Sequence, residues 1–181
     1  MIKIALPSHQ EYRLVETGSC TFYVGEDASE YTSVIPLMVN NFNHMPFQAL
    51  IGLEVVAIDR KQIIASLEKT EKLFGHFRLL HGGVVAACID AIGAYKAVHE
   101  IYLRADNTNL VEIMRRTMGI RTKEIHVEYL NEPVGDWYQI AGVTLSYSRT
   151  MVNEVTMTDN TGKLVAKGTA SYMELSELRK R

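Results

Sequence analysis

The stretch from Val84 to Leu103 constrains this chain most. It holds no proline, and its apolar residues fall on every side of a helical wheel instead of on one stripe. A helix of that kind must be wrapped by the rest of the chain. The flanking segments have the pattern to do so. Leu53–Ile58 is apolar and β-branched, and after a turn at 59–62, Ile63, Ala65 and Leu67 alternate with Ile64, Ser66 and Glu68. Beyond the helix, Ile125, Val127 and Tyr129 alternate with Glu124, His126 and Glu128. After turn chemistry at 131–136, Ala141, Val143, Leu145 and Tyr147 alternate with Gly142, Thr144, Ser146 and Ser148. Val152–Thr158 is a further strand, joined by a hairpin signal at Asp159–Gly162 to Leu164, Ala166, Gly168, Ala170 and Tyr172 on one face.

Two lesser helices are expected. Tyr31, Val34, Ile35, Met38, Val39 and Phe42 have helical spacing over 29–43, with Ser29 as N-cap, and Asn109–Thr117 is amphipathic through Leu110, Ile113 and Met114. Residues 71–83 read as a loop, and the tail from Glu174 as charged and frayed. Residues 1–30 read as an arm holding one short, isolated strand at Thr21–Val24, and residues 31–181 as a single domain. The whole is an α+β fold, a curved antiparallel sheet wrapped around one long central helix.

Composition excludes several function classes. Lys plus Arg number 19 against 21 Asp plus Glu, and a net charge of −2 does not suit phosphate binding, so no nucleic-acid partner is expected. The longest apolar candidate for a membrane span, Val34–Leu53, is broken by Asn40, Asn41, Asn43, His44 and Pro46, so no membrane partner is expected either. The opening MIKIALPSHQEYR lacks the apolar core of a secretory signal, which points to a cytoplasmic protein. Cys20 and Cys88 are too few for a disulfide framework, and Cys88 reads as packing inside the helix. His9, His44, His99 and His126 lack metal-ligand spacing, and no nucleophile-elbow, phosphate-loop or dinucleotide fingerprint occurs, so neither metal nor cofactor is expected.

Asp90 is the only group between Val84 and Tyr95 that carries a charge at neutral pH. A carboxylate in such surroundings costs several kcal/mol unless paired or solvated, so it marks either a cleft or a partnered core position. His81-Gly82-Gly83 precedes the helix, where unpaired backbone N–H groups and the helix dipole suit an anion or a developing oxyanion. The same glycines also suit an ordinary turn. Gly82 and Asp90 lie about 12 Å apart along one helix at ~1.5 Å per residue, too far to touch one reacting carbon. If they act together, they come from two copies of the chain, and the protein is at least a dimer.

Leu80-His81-Gly82-Gly83-Val84-Val85-Ala86-Ala87-Cys88-Ile89-Asp90 resembles the HGG-helix-Asp signature of hotdog-fold acyl-CoA thioesterases of the phenylacetate-degradation (PaaI-like) group. Thr122–Gly135 and Thr161–Thr169 resemble later strands and turns of that family, so the likeness spans roughly residues 45–174. The resemblance implies hydrolysis of an acyl-CoA substrate in a homo-oligomer, with CoA part of the substrate and no separate cofactor. It implies Asp90 as general base or nucleophile, Gly82 with Gly83 as oxyanion donors, His81 shaping the loop, and Thr122 helping to place water. Many family members carry Asn or Gln six residues before the HGG histidine. This chain has Gly75 there, followed by His76, a substitute donor. Gly75-His76-Phe77 with Asp90 also resembles the His/Asp pair of hotdog 3-hydroxyacyl dehydratases, and a non-enzymatic acyl-CoA binding module is the third reading. Arg78, Arg121, Arg149 and Lys163 are candidates to meet the CoA phosphates.

Overall fold

A computed structural model describes residues 4–8, 10–17, 20–31, 34–105 and 110–175, with backbone alone at 29–31 and 110. In chain order the elements are β1 (Tyr12–Thr17), β2 (Cys20–Gly25), α1 (Ile35–Asn43), α2 (Pro46–Ile51), β3 (Leu53–Ile58) and β4 (Gln62–Glu68). They are followed by α3 (Gly82–Arg104), α4 (Leu110–Met118), β5 (Ile120–Tyr129), β6 (Trp137–Tyr147), β7 (Thr150–Asp159) and β8 (Leu164–Glu174). The strands form one eight-stranded sheet in the order β1-β2-β3-β4-β6-β7-β8-β5. It curves around α3 in the hotdog arrangement.

The sheet is antiparallel except where β2 runs parallel to β3, with Tyr23 opposite Ala57 and Val24 opposite Ile58. The strand expected at Thr21–Val24 is therefore present but not isolated. It extends the sheet, and Phe22 and Val24 sit in the core. Ile4, Leu6, Tyr12 and Tyr23 pack on the outer face over Val56, Ala57, Ile64 and Ala141. The Tyr12 hydroxyl donates to Asp59, tying the first hairpin to the β3–β4 turn.

Helix boundaries differ from expectation in three places. A 3₁₀ segment covers Glu26–Tyr31, and α1 starts only at Ile35, with Pro36 in its first turn, so Ser29 is not its N-cap. The short α2, opened by Pro46 and ended by Gly52 at φ +74°, has too few residues to leave a periodic signal. The central helix begins at Gly82 instead of Val84, so both glycines of the HGG run form its first turn. Asn109 and the tail beyond 175 lie outside the described residues.

The sheet closes on α3 because small residues stand where the two approach. A side chain at Gly168 of β8 would collide with Ile89, and one at Gly93 of α3 would collide with the Tyr172 hydroxyl. Ile89, Ile92 and Ile101 are completely buried, each contributing about 1.5–3 kcal/mol. The far half of α3 buries charge as well. Lys96 Nζ donates to Glu100 Oε1 at 2.9 Å and lies 3.2 Å from His99 Nδ1, while Arg104 pairs with the other Glu100 oxygen at 2.9 Å.

Candidate functional site

The chain approaches the N-terminus of α3 through a tight turn. Gly75 N–H donates to the Leu79 carbonyl at 2.8 Å and Leu79 N–H to the His76 carbonyl at 3.2 Å. Phe77 and Arg78 both adopt positive φ, 56° and 59°, a conformation costing a non-glycine residue roughly 1–2 kcal/mol. The turn is braced by the Arg78 guanidinium, which lies over the Phe74 ring and pairs with Glu71 at 3.3 Å. Gly75 is packed so closely on His81 that an added Cβ would lie 3.3 Å from its backbone.

His81 is extended, and its Nδ1 accepts the Gly83 N–H at 2.9 Å. That ring nitrogen is therefore unprotonated, and the Gly83 amide is already engaged. Within the chain the Gly83 N–H is thus directed to His81, and Gly82 stands at the helix terminus. Gly82 is exposed, and the Tyr129 hydroxyl donates to its carbonyl at 3.0 Å. Gly75, His76, His81, Gly82, Tyr129, Asn131 and Glu132 line a cavity of about 540 Å³, together with apolar residues that include Leu80, Val85 and Pro133.

Asp90 faces a different cavity, of about 460 Å³, whose walls include Phe42, Met45, Ala91, Tyr95 and Val98. Thr122 of β5 donates its hydroxyl to Asp90 Oδ1 at 2.9 Å. The Tyr172 hydroxyl donates to the Asp90 backbone carbonyl at 2.9 Å and lies 3.4 Å from Oδ1. Burial first, then the neighbouring Asp90, holds the Tyr172 phenol far above its ordinary range, so it remains a donor. Thr122 and Tyr172 stand directly opposite one another in the β5–β8 register.

Thr122 and Asp90 are thus brought together, whereas Gly82, His81 and His76 gather around the other cavity. Within one chain His76 lines the Gly82 cavity and Asp90 the other. Within one chain the residues expected to meet the CoA phosphates lie apart. Arg121 donates to the Met118 and Ile120 carbonyls at 2.9 and 2.7 Å, closing the end of α4. Arg149 and Lys163 sit beyond opposite ends of β7, a strand of ten residues and therefore roughly 30 Å at ~3.3 Å per residue. Burial pushes the Cys88 thiol up to about 12, in keeping with packing. Tyr129 and Tyr172 are the residues of the candidate site that sequence reasoning missed. Both lay on alternating strands, but the pattern assigns a face and not a hydrogen-bond partner.

No family model matches the chain. In sequence it is 23% identical over 133 residues to the medium/long-chain acyl-CoA thioesterase YigI of Escherichia coli, covering 72% of this chain and 86% of that protein. It is 37% identical over 57 residues to the 1,4-dihydroxy-2-naphthoyl-CoA hydrolase of Listeria monocytogenes, covering 30% of this chain and 46% of that one. In structure it resembles a Shewanella oneidensis protein related to the thioesterase superfamily, with a TM-score of 0.75 and 25% identity over 81% of this chain and 98% of that one. The fold is the hotdog fold of thioesterase-superfamily structures. Its homologues in sequence and structure support a thioester hydrolase.

Proposed function

We propose that this chain hydrolyses acyl-CoA thioesters to the free acid and CoA in sites shared between two subunits. The observation that carries this reading is the Asp90 carboxylate, fixed by Thr122 at the wall of an apolar cavity. A carboxylate so held can take a proton from an attacking water or attack the thioester carbon itself. The carbonyl oxygen gains charge as the tetrahedral intermediate forms, and the partner subunit's Gly82 donates its N–H there, aided by the helix dipole. Where water attacks, collapse breaks the C–S bond and the proton taken by Asp90 passes to the departing sulfur, giving the CoA thiol and the acid. Where Asp90 attacks, collapse leaves an acyl–Asp90 anhydride and the CoA thiolate. A water then cleaves the anhydride, giving the acid and a proton for the thiolate. The reaction takes no cofactor beyond the CoA carried by the substrate.

The sheet edge supports a shared site. β5 ends the sheet, and Ile125, Tyr129 and Leu130 are exposed along it. Thr122, near one end of β5, holds Asp90, while Tyr129 at the other end holds Gly82. A two-fold axis near Ile125 would pair β5 with its copy antiparallel and bring each Asp90 toward the partner subunit's Gly82. The HGG-to-Asp spacing favours the PaaI-like group, and the name of the Escherichia coli relative favours medium or long acyl groups.

Thiol release from a panel of acyl-CoAs tests the reading. We expect release by the natural chain and a fall of at least about a hundredfold in Asp90→Asn, which keeps the shape and removes the charge. No release from any acyl-CoA would overturn the hydrolase, and release that survives the substitution would remove Asp90 from the mechanism.

A further inference from the structure

The turn that leads into α3 holds two neighbouring non-glycine residues in the left-handed region, Phe77 at φ 56° and Arg78 at φ 59°. Strain of this kind persists only where other contacts fix it, and it gathers at functional positions. Here Arg78 supplies fixing contacts, lying over the Phe74 ring and pairing with Glu71. Phe77 is what the turn presents. It is 93% exposed beside the Gly82 cavity, its ring 6.2 Å from that of His76. A braced bend therefore holds a large apolar ring out in water, where the single chain gains little burial from it. A second set of exposed apolar side chains borders the Asp90 cavity. Met45 and Phe47, at the start of α2, line it while remaining 46% and 49% exposed. Met118, between the lining residues Thr117 and Ile120, is more exposed still.

We propose that Phe77 of each subunit seats on the partner subunit's Met45 and Phe47, closing the open side of a cavity that neither chain closes alone. The inference rests on the shared-site reading for the two-fold axis near Ile125. That axis exchanges the two ends of β5, where Thr122 holds Asp90 and Tyr129 holds Gly82. It therefore sets the Gly82 cavity, with Phe77 on its wall, against the partner subunit's Asp90 cavity. Area argues for contact beyond the strands. β5 has ten residues, about 33 Å at ~3.3 Å per residue, and a sheet is about 10 Å thick, so edge pairing covers roughly 330 Å² of each subunit. A stable interface takes about 800 Å² from each. A buried phenylalanine removes about 150–250 Å² from water. Each subunit gives one such ring and receives another, which makes up most of the difference. Aromatic side chains and methionine are also the residues in which interface cores are enriched.

Cross-linking and sedimentation test the contact without reference to activity. A chain carrying both Phe77→Cys and Phe47→Cys is treated with a short bismaleimide, which bridges nearby thiols without the strict geometry of a disulfide. We expect a covalent dimer on a denaturing gel, where either substitution alone gives no more than the natural chain with its Cys20 and Cys88. Phe77→Gly removes the ring and suits a φ of 56°, so the turn keeps its shape. Sedimentation equilibrium over a dilution series should show its dimer dissociation constant raised at least about thirtyfold, as for loss of an interface anchor. A natural dimer without the cross-link, or one equally tight in Phe77→Gly, overturns the proposal and leaves the shared site standing. A natural chain that sediments as a monomer overturns the shared site as well.

Discussion

At the scale of single residues, the proposed chemistry turns on how a carboxylate is held on an otherwise apolar helix face. Asp90 stands out in the sequence because Val84–Tyr95 offers no other charge. In the proposed mechanism Thr122 is a positioning residue that acts through it, donating at 2.9 Å. A hydrogen bond to a charged group is worth about 1.5–3 kcal/mol. Thr122→Val therefore should lower kcat about tenfold to a hundredfold with little change in KM. Thr122→Ser, which restores the hydroxyl, should recover most of that loss, and the two variants are compared by steady-state thiol release. If valine and serine lose activity equally, the hydroxyl does not matter and the methyl group does. Asp90 and Thr122 were both legible in the sequence. Tyr172 was not, because its role depends on a cross-strand register that places it opposite Thr122, and alternation alone cannot supply register.

At the scale of elements, the central helix was legible because burial on all sides leaves a composition no other element shares. Its first turn was not, since His81 caps it with a ring nitrogen and glycines normally signal a turn. The other unforeseen feature of α3 is its buried polar cluster. Burial chiefly, then Lys96 and Arg60, holds the His99 imidazole well below its ordinary pKa. For Glu100, burial opposes ionisation, but the Lys96 and Arg104 contacts outweigh it and hold the carboxyl below its usual range. Below about pH 6.5 the unfolded chain takes up a proton that folded His99 refuses. His99 therefore lowers stability as pH falls below that point and has no such effect above it, with a slope approaching about 1.4 kcal/mol per pH unit. Chemical denaturation between pH 8 and pH 5 should show the natural chain losing more stability than His99→Leu. Parallel curves would mean that His99 takes up its proton alike in the folded and the unfolded chain.

At the scale of the whole molecule, the monomer divides the proposed machinery between two cavities, one holding Gly82 and the other Asp90. The arrangement suits complementation between damaged chains. Gly82→Pro removes the backbone N–H proposed as oxyanion donor, at the first helical position, where proline is tolerated. His81 is already extended, as a residue before proline prefers. Loss of one oxyanion donor should cost about 10²–10³ in kcat while leaving the helix in place. Asp90→Asn damages the other half of each site. Within either variant homodimer every site carries one defect, so both preparations should be nearly inactive. In a heterodimer one site collects both defects and the other collects none. An equimolar mixture, unfolded and refolded together, should therefore regain about one quarter of the natural activity, because half the dimers are mixed and half their sites are whole. Sites contained within single chains would give no recovery at any mixing ratio. Sedimentation of the same mixture separates that result from a failure to associate: a dimer without recovery would reject the shared site itself, and monomers would locate the fault in the β5 edge.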